Sequence, residues 1–177
     1  MKFIEQSYEK LKLLKRADKG EVWLANARAN DELVVIKHVN LTGLPYGVIK
    51  NSSFRLPAKV FFCAEDDKDT VVVEEFIHGE NMLERLDRKE FLTEEEARKI
   101  LLQLYDGLKE LHEQNIIHRD IKPSNLIFQG GLIRLIDFDA ARIFKTGKEA
   151  DTKLLGTRGY APPEQYGSNQ TDIAADV

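Results

Sequence analysis

The sequence predicts an α+β chain built in two parts. Three observations carry that expectation. Strand-like segments recur through residues 8–76, a long apolar stripe at helical spacing occupies residues 94–115, and short apolar strands separated by polar loops follow from residue 116. A small strand-rich part followed by a helix-led part is the α+β pattern.

The elements follow in order. YEKLKLLKR (8–16) alternates loosely, and EVWLANAR (21–28) is β-like. Asn30-Asp31 is a turn signal before ELVVIKHV (32–39), so the three segments read as an antiparallel meander. Residues 42–57 hold two prolines, Gly43, Gly47 and Asn51-Ser52-Ser53, and sustain no helical stripe beyond a turn or two. DTVVVEEF (69–76) is a further strand. Thr93 to Glu96 then forms a capping box, Thr93 at the N-cap and Glu96 at N3. Behind it Ala97, Ile100, Leu101, Leu104, Leu108 and Leu111 recur three and four apart, which predicts an amphipathic helix of about twenty residues. NIIHRD, SNLIF and LIRLIDFD read as short strands with loops between them, and Pro162-Pro163 breaks what comes next.

Composition bounds the function. Apolar residues make up 42% of the 177 and charged residues 32%, the balance of a soluble globular protein. A net charge of −4, with basic residues spread along the chain, argues against a dedicated nucleic-acid binder. Cys63 is the only cysteine, which excludes an internal disulfide and a cysteine metal cluster and suits a cytoplasmic location. KFIEQSYEK carries charges where a secretory leader would be apolar, and no apolar run is long enough to span a bilayer.

Two stretches carry chemistry. In LVVIKHVNL (33–41) Lys37 sits inside an apolar strand, where an ammonium needs a partner. Residues 33–64 contain neither Asp nor Glu. The second stretch is HRDIKPSN (118–125), which packs His, Arg, Asp, Lys and Asn between two apolar strands. Taken singly, each of these residues reads equally well as part of a polar surface turn. IDFD (136–139) puts Asp137 at the end of another strand. Two such loops would bring Asp120, Asn125 and Asp137 together, and oxygen ligands of this kind suit Mg²⁺ with phosphate.

With GTRGYAPPEQ downstream, the ordered series HRDIKPSN, IDFD and GTRGYAPPE resembles the eukaryotic-type Ser/Thr protein kinases, from about Tyr8 to Val177. The resemblance implies a two-lobed fold. A small antiparallel β N-lobe (1–77) would bind nucleotide, and a partial helical C-lobe (78–177) would carry the catalytic loop, metal loop and activation segment. It implies Mg²⁺ and ATP as cofactors and a protein substrate. Asp120 would orient the acceptor hydroxyl and receive its proton, and Lys122 would steady the γ-phosphate. Asn125 and Asp137 would hold metal, and Lys37 would meet the α- and β-phosphates. Glu75 and Ile77 would meet adenine through backbone groups, with Asn81 near the ribose. Lys122 and Thr157 favour Ser/Thr acceptors. His118 would prop the loop. Arg119 implies an activation segment ordered by phosphate, with Thr146 and Thr152 as candidate acceptors or ordinary surface threonines.

The sequence departs from the family pattern at four places. The nucleotide-covering loop aligns as LKRADKGEV, where Gly20 is the one retained glycine; Gly20 and, two residues on, Val22 would border the nucleotide. The helix that should present a glutamate to Lys37 falls within residues 43–56, which contain no acid, so that helix is reduced or missing. Asp139 replaces the glycine after Asp-Phe, and either adds a ligand beside Asp137 or caps the next turn. Asp176 resembles the aspartate opening the family's central helix and lies at the end of the sequence. Apolar surface is then expected on the helical part: either the chain is a truncated product, or it is a minimal form whose protein partner covers that surface.

Three functions compete: an ATP-dependent Ser/Thr kinase of full or reduced activity, a pseudokinase acting as a nucleotide-binding or scaffolding module, and a small-molecule phosphotransferase. For Lys37 the hinge strand offers a substitute partner, since Glu74 borders the back of the adenine pocket in such a fold. Glu74 either pairs with Lys37 or points to solvent.

Overall fold

The computed structural model describes residues 2–144, 156–166 and 171–177. It divides into two compact units: residues 1–52 with 58–76, and residues 53–57 with 77–177.

The first unit is a five-stranded antiparallel sheet in the order β1-β2-β3-β5-β4. Its strands are β1 (Tyr8–Ala17), β2 (Gly20–Ala27), β3 (Leu33–Val39), β4 (Val60–Glu65) and β5 (Thr70–Glu75). Strand β4 and a short helix α1 (Lys2–Ser7) add to what the sequence predicts. Side chains alternate between the two faces. Ala25, Val34, Ile36 and Val73 form a buried cluster on one face, lined by Ile4, Tyr8, Trp23 and Phe62. Residues of opposite parity, Lys37, Val39, Val72 and Glu74 among them, occupy the other face and are also buried. A sheet buried on both faces accounts for the near-continuous apolar reading of β3 and β5.

Between β3 and β4 stands α2 (Tyr46–Lys50), five residues long and without an acidic side chain. The reduced helix expected there is therefore present as little more than one turn. Its neighbours fix it. Gly43 N donates to Glu65 Oε2 (2.8 Å), and Thr70 Oγ1 donates to Leu41 O (2.6 Å). Tyr46 and Ile49 are buried.

In the second unit, α4 (Glu94–Glu113) starts at Thr93 with the expected reciprocal capping box, and α3 (Met82–Asp87) starts at Asn81 with another. Strands β6 (Glu80–Asn81), β8 (Leu126–Gln129) and β9 (Leu132–Leu135) form one small sheet. Strands β7 (Ile116–Ile117) and β10 (Arg142–Ile143) form a second. Residues 53–57 belong here because Leu135 N donates to Leu56 O and Arg134 Nη2 to Pro57 O. Leu56 also packs on α4 where Gly107 leaves room, since a Cβ at Gly107 would come within 2.4 Å of Leu56 Cβ.

One expectation for α4 needs correction. The buried stripe runs through Ile100, Gly107, Leu108 and Leu111, whereas Leu101 is 63% exposed beside exposed Leu102 and Tyr105. Leu101 lies one helical step, about 100°, past Ile100 and so falls outside the stripe. Among the described residues, no helix is long and apolar enough to cross a membrane.

Candidate active site

The HRDIKPSN loop leaves β7 with Arg119 in the left-handed region (φ 65°), and a 3₁₀ turn at Pro123–Asn125 returns it to β8. Arg119's unusual backbone is held on several sides. Its N–H donates to Asp176 Oδ1 (2.7 Å), its carbonyl accepts from Gln165 Nε2 (2.9 Å), and its Nε donates to Ala140 O (2.7 Å). Asp176 Oδ2 also accepts from His118 N (2.8 Å) and lies 2.9 Å from His112 Nε2. A single buried carboxylate thus satisfies two adjacent buried loop amides that have no strand to pair with.

His118 is fully buried beneath the loop. Its Nδ1 accepts from Asp120 N (3.3 Å), which leaves Nε2 to carry the proton and donate to Ile136 O (3.1 Å). Phe138 packs edge-on against the ring at 4.6 Å between centroids. Burial pushes the His118 pKa below its ordinary value, opposed by the nearby carboxylate of Asp176. A neutral, doubly engaged imidazole props the loop, as the sequence implied.

Above this floor the reactive groups converge. Lys122 Nζ donates to Asp120 Oδ2 (2.7 Å) and to Thr157 Oγ1 (2.6 Å), and Thr157 donates its own proton to Asp120 Oδ1 (2.7 Å). Asn125 Nδ2 reaches Asp120 O (2.9 Å) and Oδ2 (3.2 Å). Both Asp120 carboxylate oxygens are therefore oriented by donors from three residues. Gly156 precedes Thr157 at φ 113°, and a Cβ there would meet Gln165, Ala161 and Arg119 O, so the close approach of this segment needs glycine.

Asp137 has the left-handed backbone φ 67°, ψ 68°, and Phe138 to Ala140 follow as a 3₁₀ turn that contains Asp139. Ile136 N donates to Asn125 O (3.0 Å), which ties the segment after β9 that carries Asp137 to Asn125. Asn125 spends its Nδ2 on Asp120, so its amide oxygen is the atom available to a cation. One carboxylate and one amide oxygen, held on hydrogen-bonded neighbours, fit a hard cation that keeps phosphate and water as its other ligands. A cluster of three or more His, Cys, Asp or Glu side chains able to hold a metal by themselves is absent among the described residues.

In the first unit, Lys37 Nζ lies 2.9 Å from Glu74 Oε1, with the two side chains 5% and 6% exposed. The register explains the contact. Val35 pairs with Glu74 and Lys37 with Val72, so Lys37 and Glu74 are diagonal neighbours on one face. Tyr46 OH lies 3.2 Å from the same ammonium. The sequence does not single out Tyr46, because one aromatic after Pro45 gives no periodic signal. Removing one partner of a pair this buried is expected to cost about 3–5 kcal/mol.

The remaining candidates fall as follows. Val22 pairs with Lys37 and Gly20 with Val39. Gly20, at φ 136°, has backbone packed so near His38 O that an added Cβ would collide with it. The β1–β2 connection is a two-residue turn, Asp18-Lys19. Glu75 N donates to Lys59 O (2.8 Å), and Lys59 N donates to the Glu75 carboxylate (3.2 Å). Ile77 is buried. Asn81 uses its side chain to cap α3. Thr146 and Thr152 lie outside the described residues.

A family model described as "Protein kinase domain" matches residues 8–177. The chain belongs to the protein kinase family. As a family member it resembles Serine/threonine-protein kinase 36 of Pongo abelii, 30% identical over 183 residues, which span 97% of this chain and 14% of that protein. Cyclin-dependent kinase G1 of Arabidopsis thaliana is 29% identical across 96% of this chain and 31% of its own length. Serine/threonine-protein kinase F of Synechocystis is 36% identical across 64% of this chain and 24% of its own. The chain spans less than a third of each of these relatives.

Proposed function

We propose that this chain carries out ATP-dependent phosphorylation of serine or threonine hydroxyls in proteins. The observation that supports it most is the Asp120–Lys122–Thr157 arrangement, in which a carboxylate is aimed by an ammonium and a hydroxyl. In the reaction the acceptor oxygen forms a bond to the γ-phosphorus while the bond to the β-phosphate oxygen breaks, and ADP leaves. The acceptor proton passes to Asp120. Little covalent work is asked of the protein, so orientation of Asp120 and charge stabilisation at the phosphoryl group dominate. Lys122 supplies a positive charge for the transferring group. Lys37 would hold the α- and β-phosphates, and the backbone of Glu75 and Ile77 would meet adenine. Asn125 and Asp137 would hold Mg²⁺, which neutralises the charge of the β- and γ-phosphate oxygens when bound.

A radiolabel-transfer assay on generic protein substrates tests this. Transfer from γ-labelled ATP is expected with the native chain, and transfer no greater than that of folded Asp120→Asn would contradict it.

One observation favours a second reading, a nucleotide-binding or scaffolding pseudokinase. The two-residue β1–β2 turn with Gly20 alone offers few backbone amides to a phosphate. Thermal shift separates the readings. Stabilisation by ATP that requires Mg²⁺ accords with catalysis, and none at millimolar ATP favours the scaffold.

A further inference from the structure

We infer that Glu74 and Tyr46 together are the positioning residues for Lys37, so that this lysine is set by the neighbouring strand and a short anchored helix rather than by a movable one. The inference rests on the nucleotide role proposed for Lys37.

Three observations support it. The partner carboxylate comes from β5, hydrogen-bonded directly to β3, so donor and acceptor move as one sheet. The second partner, Tyr46 OH, comes from a helix of five residues with no acid of its own. That helix is anchored rather than hinged: Tyr46 is fully buried, Gly43 N is bound by Glu65, and Leu41 O is bound by Thr70. A carboxylate and a phenol fix two of the ammonium's donor directions and so choose one side-chain rotamer out of many, which reduces the ordering that phosphate binding would otherwise require. A lysine positioned this way needs no signal that swings a helix into place.

The test uses the 177-residue chain and two readouts. The first needs no nucleotide: the rate at which an amine-reactive ester labels Lys37, read by mass spectrometry. The second is the dissociation constant for Mg-ATP. Tyr46→Phe keeps the ring and removes only the hydroxyl, and a thermal melt verifies that it and Glu74→Gln remain folded. Each variant is expected to speed Lys37 labelling and to weaken Mg-ATP binding, Tyr46→Phe by about threefold to tenfold. In a Lys37→Met background Tyr46→Phe should leave Mg-ATP affinity unchanged, because its effect passes through the lysine. Unchanged labelling in both variants would overturn the inference. So would tighter Mg-ATP binding by Glu74→Gln, which would make Glu74 a competitor for the lysine. An undiminished effect of Tyr46→Phe without Lys37 would also overturn it, showing a packing role alone. If the native chain binds no Mg-ATP, the kinase reading fails, and the labelling arm still decides whether these residues position Lys37.

Discussion

At the scale of single residues, Thr157 decides how Asp120 is presented. Its hydroxyl accepts from Lys122 and donates to Asp120, a relay that valine cannot make and serine can. Thr157→Val is therefore expected to lower kcat by roughly 10²-fold, with Thr157→Ser retaining most activity. Steady-state kinetics on a peptide substrate reads the difference. His118 provides a pH signature. Folding lowers its pKa from 6.5, so in acid the unfolded chain takes up a proton that the native chain refuses. The stability tied to this group is complete above pH 6.5 and is lost as pH falls from there toward the folded-state value. Urea midpoints should drop between pH 7.5 and 5.5, with a smaller drop in His118→Gln. Residue identities in the HRDIKPSN loop were legible from sequence because the loop is contiguous. The Lys37–Glu74 pair was legible only as one of two alternatives, and Tyr46 not at all, since its contact depends on where a short helix settles.

At the scale of elements, α4 was the clearest sequence signal because it has both a cap and a period, and the structure starts it at the predicted Thr93. Strand β4 carried little signal. Its core, VFFCA, is short, lacks alternation and follows a proline-rich stretch. Gly107 explains a choice that helix propensity cannot. Alanine there should stabilise an isolated helix by about 1 kcal/mol, yet in this fold its Cβ would collide with Leu56. Gly107→Ala is expected to lower the melting temperature, by a net destabilisation of about 1–3 kcal/mol. A differential scanning experiment checks the sign.

At the scale of the whole molecule, the α+β class and the kinase-like sequence of elements were legible because strand and helix periods are segregated along the chain. The energetic reach of Asp176 was less so. Sequence gives its resemblance to a family position, and the structure gives its hydrogen bonds to amides 58 and 57 residues earlier. Asp176→Ala would leave these buried donors unpaired at about 1–3 kcal/mol each. It should reduce both stability and activity, whereas substitution of nearby exposed Asp172 should change neither by more than about 0.5 kcal/mol beyond its own local cap. Parallel melts and transfer assays of the two variants separate these outcomes.

Asp120, oriented by Lys122, Asn125 and Thr157, is proposed to serve a working phosphoryl-transfer site. Mass-spectrometric counting of phosphoserine and phosphothreonine formed on a mixed Ser/Thr peptide pool, with Mg-ATP and with Asp120→Asn as control, tests it most directly. Phosphopeptides are expected with the native chain, with their near-complete loss in the variant and Mg-ATP binding retained by both. A native chain that binds Mg-ATP yet yields no more phosphopeptide than Asp120→Asn would contradict it.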